Sequence, residues 1–266
     1  MNGMGIEQAK SVYRLACTEL RGGNHLAAYS AALPGLAGWV SCRPLDPSPR
    51  GGDLYYMSAC SQGVMARVVL ADVAGHGEPV SAAAASLSDA LRQHVDHWDQ
   101  SALIRQLNDS FLNAADRGRF ATAFVASYYS GTGELLFTNA GHLPPLWYRA
   151  GTREWKFMTD DAVPGPPGAE AINLPLGLIA GTAYTQTAVQ IEPGDILLLY
   201  TDGVSEARDE SGAQLGLDRL LAMARTLPTE SAAAAGKGLL AVVGRYRGAE
   251  PAADDETVVA LQREGT

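Results

Sequence analysis

The stretch Val68-Val69-Leu70-Ala71-Asp72-Val73-Ala74-Gly75-His76-Gly77 decides how this chain is read. Its four apolar residues, 68–71, predict a buried strand that stops at an acidic residue. Gly75 and Gly77 then permit a positive φ or the close approach of a ligand. A carboxylate at the tip of a buried strand, followed by glycine, can hold a cation. It can equally make a turn, because Asp and Gly bend a chain for local reasons. Recurrence separates the two readings. Asp53 follows Gly51-Gly52 beside the strand-like run Leu54-Tyr55-Tyr56. Asp202, followed by Gly203, closes the clearest strand in the protein, residues 196–200. Asp254 and Asp255 lead into a last strand around Val258 to Leu261.

Composition narrows the class of function. The chain has 266 residues, 47% of them hydrophobic, enough to bury a large core. A net charge of −9 argues against nucleic-acid or anionic-membrane binding, which needs clustered Lys and Arg. The first residues lack a signal peptide's apolar core, and no apolar run approaches the ~20 residues of a membrane span. A cytoplasmic protein is therefore expected. Cys17, Cys42 and Cys60 lack metal-ligand or redox spacing and are expected to be free thiols.

Ile6, Ala9, Tyr13, Ala16 and Leu20 recur at three-four spacing and predict a helix over residues 6–20. It forms an N-terminal element, residues 1–23, that is a candidate for regulation or homodimerisation. The main domain is assigned to residues 24–266. The stretch after Gly22-Gly23 is mixed as far as Pro49. Helices are expected over residues 78–97 and from Ser101, the candidate N-cap, through Phe111. Residues 120–129 and 134–138 read as a hairpin, 160–175 as a Pro- and Gly-rich loop, 185–191 as a strand and 217–227 as an amphipathic helix. Residues 230–247 read as a weaker helix, because Gly236, Gly238 and Gly244 each cost ~1 kcal/mol relative to Ala.

If the strands bearing Asp53, Asp72, Asp202 and Asp254/Asp255 are neighbours, three or four carboxylates converge, and they cannot all stay ionised without a compensating cation. An all-oxygen cluster selects Mg²⁺ or Mn²⁺ over Zn²⁺. Two such ions ~3.5–4 Å apart can polarise a phosphoryl oxygen and activate a water for phosphate-ester hydrolysis.

Six stretches, in order, carry a family resemblance. They are Gly51-Gly52-Asp53, Asp72-Val73-Ala74-Gly75-His76-Gly77, Asn139-Ala140-Gly141-His142, Leu174-Pro175-Leu176-Gly177, Tyr200-Thr201-Asp202-Gly203-Val204-Ser205-Glu206-Ala207 and Asp254-Asp255-Glu256-Thr257. Together they resemble the bacterial metal-dependent (PPM, protein phosphatase 2C-like) serine/threonine phosphatases of the SpoIIE/RsbU type, over roughly residues 37–261. The resemblance implies an α+β fold, a four-layer αββα sandwich of two mainly antiparallel sheets flanked by helices. It also implies two Mn²⁺ or Mg²⁺ ions. Asp72 would bridge both, with the main-chain carbonyl of Val73 as a further ligand. Asp202 and Asp254 would serve one ion, and Asp53 the other, directly or through water. Gly52, Gly75 and Gly203 would let backbone approach the site. The substrate it suggests is a phosphorylated STAS-domain anti-anti-sigma protein in a partner-switching pathway.

His76 lies near Asp72, where it could protonate the departing serine or threonine oxygen. It could equally satisfy backbone groups of the turn. His142 is expected to serve as a structural hydrogen-bonding residue. Tyr56 departs from the family pattern, which commonly has a second acidic residue there, and Ser205 replaces the more usual threonine. Arg50 is a candidate phosphate ligand or an exposed turn residue. Cys60 and Arg67 are one residue too far apart for a cysteine phosphatase loop, and Gly236-Lys237-Gly238 lacks the rest of a P-loop. The second expectation, of another class, is a non-catalytic binding module on the phosphatase fold. The intact Asp53, Asp72, Asp202 and Asp254 argue against it.

Overall fold

The computed structural model describes residues 12–15, 20–45, 48–59, 63–75, 78–94, 99–114, 119–159 and 172–265. In chain order the elements are β1 (Val12–Arg14), β2 (Leu20–His25), β3 (Ala27–Leu33), β4 (Leu36–Arg43), β5 (Arg50–Ala59), β6 (Met65–Val73), α1 (Glu78–His94) and α2 (Gln100–Ala114). There follow β7 (Ala121–Tyr129), β8 (Glu134–Ala140), β9 (Leu146–Arg149), β10 (Glu154–Phe157), β11 (Thr187–Gln190) and β12 (Ile196–Tyr200). The chain continues through α3 (Asp202–Ser205), α4 (Gly216–Ala224), α5 (Ala232–Arg247) and β13 (Glu256–Arg263).

The strands form two sheets, ordered β1-β3-β4-β13-β12-β9-β10 and β11-β8-β7-β6-β5-β2. Among the described residues the strand pairings are antiparallel except that of β1 with β3. Three cores separate four layers. Leu70, Phe124, Phe137, Val40 and Leu199 pack between the sheets. Leu54, Val69, Leu87 and Leu107 join the second sheet to α1 and α2. Leu198, Val258, Leu220 and Leu239 join the first sheet to α4 and α5. Because alternate residues of a strand point to opposite faces, the central strands feed two cores at once and are apolar almost throughout. This is the αββα sandwich expected.

The structure corrects several local expectations. Where the three-four spacing predicted a helix over 6–20, Val12–Arg14 is a strand parallel to β3, and β2 begins at Leu20. Residues 1–11 and 16–19 lie outside the described residues. The boundary placed at 23/24 falls inside β2, which pairs with β5, so residues 20–23 belong to the sandwich. Small and apolar residues spaced in this way also satisfy a sheet edge, and partner strands distant in sequence decide the matter. The mixed stretch before Pro49 is largely the β3–β4 hairpin. Asp99, rather than Ser101, caps α2: its Oδ1 accepts from the backbone of Ser101 at 2.8 Å and Ala102 at 3.2 Å. The helix marked down for its glycines is sixteen residues long. Gly236 is needed there, since a Cβ would lie 2.3 Å from the Trp39 ring. Cys42 is a buried free thiol as expected, and Cys17 and Cys60 lie outside the described residues.

Candidate metal centre

The acidic residues meet at one end of the space between the sheets. Asp72 does not follow its strand, as the sequence suggested, but lies within it, directly opposite Asp53 on β5. Directly opposed residues of an antiparallel pair share a face, with Cβ atoms about 4.5–5.5 Å apart. Like charges in that relation are normally avoided. From the other sheet, Thr201 at the end of β12 donates its hydroxyl to Asp53 Oδ2 at 2.7 Å and accepts the backbone N–H of Thr257 at 3.0 Å. One threonine thereby joins the two sheets at the site. Asp202 opens α3, and Asp254 lies exposed in the turn before β13.

The electrostatics record the crowding. Burial, then the charge of Asp72, holds the Asp53 carboxyl well above the usual carboxylate range, and the Thr201 hydroxyl only partly offsets this. Asp72 is pushed up to about 7 by burial and by Asp202, Asp254 and Asp255. Asp202 is pushed up to about 6 by burial and by Asp254 and Glu206, against the backbone N–H of Gly203. A carboxylate set in which each member raises another is one that a hard divalent cation would relieve. The all-oxygen donors fit Mg²⁺ or Mn²⁺. Among the described residues no three acidic, histidine or cysteine side chains form a closed ligand cage. The arrangement is a crowd of carboxylates at the mouth of the sandwich.

Asp255 proves to be a buttress. Its Oδ1 accepts from Leu45 N and its Oδ2 from Gly52 N, both at 2.6 Å. Short charge-assisted bonds of this kind tie the turn before β13 to β5. They also explain two glycines of the motifs. A Cβ on Gly52 would stand 3.0 Å from the Val73 carbonyl oxygen, and one on Gly203 would stand 2.0 Å from the Asp255 carbonyl oxygen. Side chains at either position would displace the backbone that frames the site.

His76 lies outside the described residues. His142 is buried, its N–H held by Asn139 Oδ1 at 2.7 Å and its Nδ1 hydrogen-bonded to Thr122 at 2.7 Å. Arg50 is exposed, and its carbonyl accepts from Ser81 at 2.8 Å. Tyr56 is three residues beyond Asp53 and so faces the helices instead of the acids. Pro175 packs on Gly141, and Leu176 bridges to Ala121, so the stretch 174–177 lies against both the 139–142 stretch and β7. A cavity of about 380 Å³ opens beside Asp202 and Asp254, lined also by Glu206, Arg208 and Arg247. A larger one, about 920 Å³, lies at the β9–β10 hairpin and contains none of the acids. Residue-by-residue reading overlooked Thr201 and Glu206. Their signal was position alone, flanking Asp202 by one and by four residues.

A four-layer αββα sandwich with carboxylates gathered at one end of its paired sheets is the architecture of protein phosphatase 2C-like domains. The match to solved domains bears this out. A Bacillus subtilis structure of the PP2C phosphatase domain with a fragment of the regulatory domain of SpoIIE superposes with a TM-score of 0.70 at 17% identity, covering 87% of this chain and 62% of that one. The RsbU and RsbW domains of a Mycobacterium tuberculosis protein superpose with a TM-score of 0.69 at 23% identity, covering 90% and 63%. The sequence profile of the Stage II sporulation protein E (SpoIIE) family matches residues 63–264, and the chain belongs to that family. Among curated proteins, the phosphoserine phosphatase RsbU of Bacillus subtilis is 27% identical over 164 residues, which are 60% of this chain and 44% of that protein. The chain spans less than half the length of the curated relatives it matches. Among the described residues no helix is long and apolar enough to cross a membrane.

Proposed function

We propose that this chain is a Mn²⁺- or Mg²⁺-dependent protein serine/threonine phosphatase that hydrolyses phosphoserine or phosphothreonine by direct attack of water. The observation that carries the reading is the face-to-face pair Asp53 and Asp72, with Asp202 and Asp254 close enough to raise the Asp72 pKa. So costly a grouping of carboxylates calls for cations. Two ions would be held by Asp72, the Val73 carbonyl, Asp202 and Asp254, with Asp53 serving directly or through water. Such ions, when bound, polarise a phosphoryl oxygen and lower the pKa of water.

The chain's own groups do the remaining work. Thr201 and Asp255 hold the two sheets and the Gly52 backbone in register around the acids. The cavity beside Asp202 and Asp254 gives a phosphorylated side chain access. His76 is the proton donor for the departing oxygen. The substrate is a phosphorylated STAS-domain protein of a cytoplasmic partner-switching pathway, a reading supported by family membership and by the phosphoserine phosphatase activity in the RsbU relative's name.

The test is hydrolysis of a phosphothreonine peptide, a small aryl phosphate and a co-encoded phospho-STAS protein against Mn²⁺ concentration, comparing wild type with Asp202→Asn. Metal-dependent turnover lost in the variant is the expected result. A folded, Mn²⁺-binding wild type that turns over none of the three would leave a phosphatase-fold binding module in its place.

A further inference from the structure

The rung that carries Asp53 and Asp72 continues onto a third strand. Asp72 on β6 stands directly opposite Thr122 on β7, so Asp53, Asp72 and Thr122 form one row on the face of the sheet turned toward the other sheet. Their neighbours confirm the face. Tyr55, Leu70 and Phe124, each two residues along its strand, belong to the core between the sheets. Threonine is thus the neutral oxygen in a row that is otherwise carboxylate.

The hydroxyl of Thr122 is not left to rotate. Its partner is His142 Nδ1 at 2.7 Å, and His142 is fixed in turn by the reciprocal pair it makes with Asn139. The His142 backbone N–H donates to Asn139 Oδ1 at 2.7 Å, and the Asn139 amide donates to the His142 carbonyl at 2.9 Å. In the tautomer that leaves Nδ1 without a proton, the threonine hydroxyl donates to it and Oγ1 keeps its lone pairs. The lone pairs of Thr122 Oγ1 are then what the row offers beside Asp72.

We propose that Thr122 is a further oxygen donor of the cation site, reaching the ion held by Asp72 directly or through one water, and that His142 is the positioning residue that locks its hydroxyl in the accepting orientation. This rests on the cation-dependent reading above and adds residues to it. Neutral oxygens suit hard divalent ions, and they complete a coordination shell without adding to an already excessive negative charge. Fixing a ligand's orientation from behind is a recognised determinant of metal affinity.

The test is Mn²⁺ affinity, measured by calorimetry and by loss of the free-ion electron paramagnetic resonance signal, in wild type, Thr122→Val, Thr122→Ser, His142→Gln and the double variant Thr122→Val/His142→Gln. Valine keeps the shape and removes the oxygen, so affinity is expected to fall about tenfold, whereas serine restores it to within about twofold. His142→Gln is expected to fall with Thr122→Val, and the double variant to fall no further, because one acts through the other. Nitrogen-15 spectra of the His142 ring should show Nδ1 unprotonated and accepting a hydrogen bond. Thermal melts identify any variant that has not folded, and Thr122→Ala replaces valine if packing is disturbed. Wild-type affinity in folded Thr122→Val or Thr122→Ala overturns the assignment and leaves the phosphatase reading intact. A wild type that takes up no Mn²⁺ overturns both.

Discussion

Asp53 and Asp72 face each other across β5 and β6, a buried and a half-buried carboxylate in one rung of an antiparallel pair. Removing one charge should stabilise the metal-free fold and disable the site. Asp72→Asn is expected to raise the stability of EDTA-treated protein at about pH 8 by about 1–3 kcal/mol while abolishing metal-dependent hydrolysis. Denaturant unfolding with and without Mn²⁺ checks both halves. A variant less stable than wild type without metal would contradict the crowding argument.

The pH dependence has a definite sign. Asp72 at about 7 and Asp202 at about 6 both lie above the unfolded carboxylate value of 3.8. Their contribution to stability is fully present below that unfolded value and is lost as pH rises through about 6 to 7. Metal-free protein should therefore lose stability from these groups between about pH 4 and pH 7, and saturating Mn²⁺ should largely remove the trend. Mn²⁺ uptake should release protons near neutral pH, which calorimetry in buffers of different ionisation enthalpy would detect.

Asp254 and Asp255 are adjacent but should fail differently. Asp255 holds two backbone N–H groups at 2.6 Å, so Asp255→Ala should cost about 2–3 kcal/mol of stability whether or not metal is present. Asp254 is exposed, and Asp254→Ala should leave the metal-free melt within about 0.5 kcal/mol of wild type while weakening Mn²⁺ binding. Equal effects of the two on unfolding would refute the division of labour.

Two glycine-to-alanine changes offer a control for backbone geometry. Gly203→Ala places a Cβ 2.0 Å from the Asp255 carbonyl oxygen and should destabilise by about 2 kcal/mol or more. Gly244→Ala in α5 meets nothing within 4 Å and should stabilise by about 0.5–1 kcal/mol. Thermal melts of the pair decide it, and the reverse order would mean that the approach of α3 to the Asp255 turn is misplaced.

What the sequence determined by itself was local or ordered along the chain. β12 reads directly from Ile196 to Tyr200 because five consecutive apolar residues ending in Thr-Asp-Gly admit few other conformations. The β7–β8 hairpin reads from its Ser-Gly-Thr-Gly turn, and six motifs in order named the architecture. Tertiary structure alone decided which acids meet and what each does. Asp53 faces Asp72 from nineteen positions away through the β5–β6 register, and Asp255 reaches Gly52 across 203 residues. Thr122 enters the same rung only because β7 lies beside β6. The N-terminal residues show the same limit from the other side, since a spacing that suits a helix also suits an edge strand, and β3 and β5 supplied the hydrogen bonds that settled it. Propensity is worth tenths of a kcal/mol per residue, and pairing with a distant strand outweighs it.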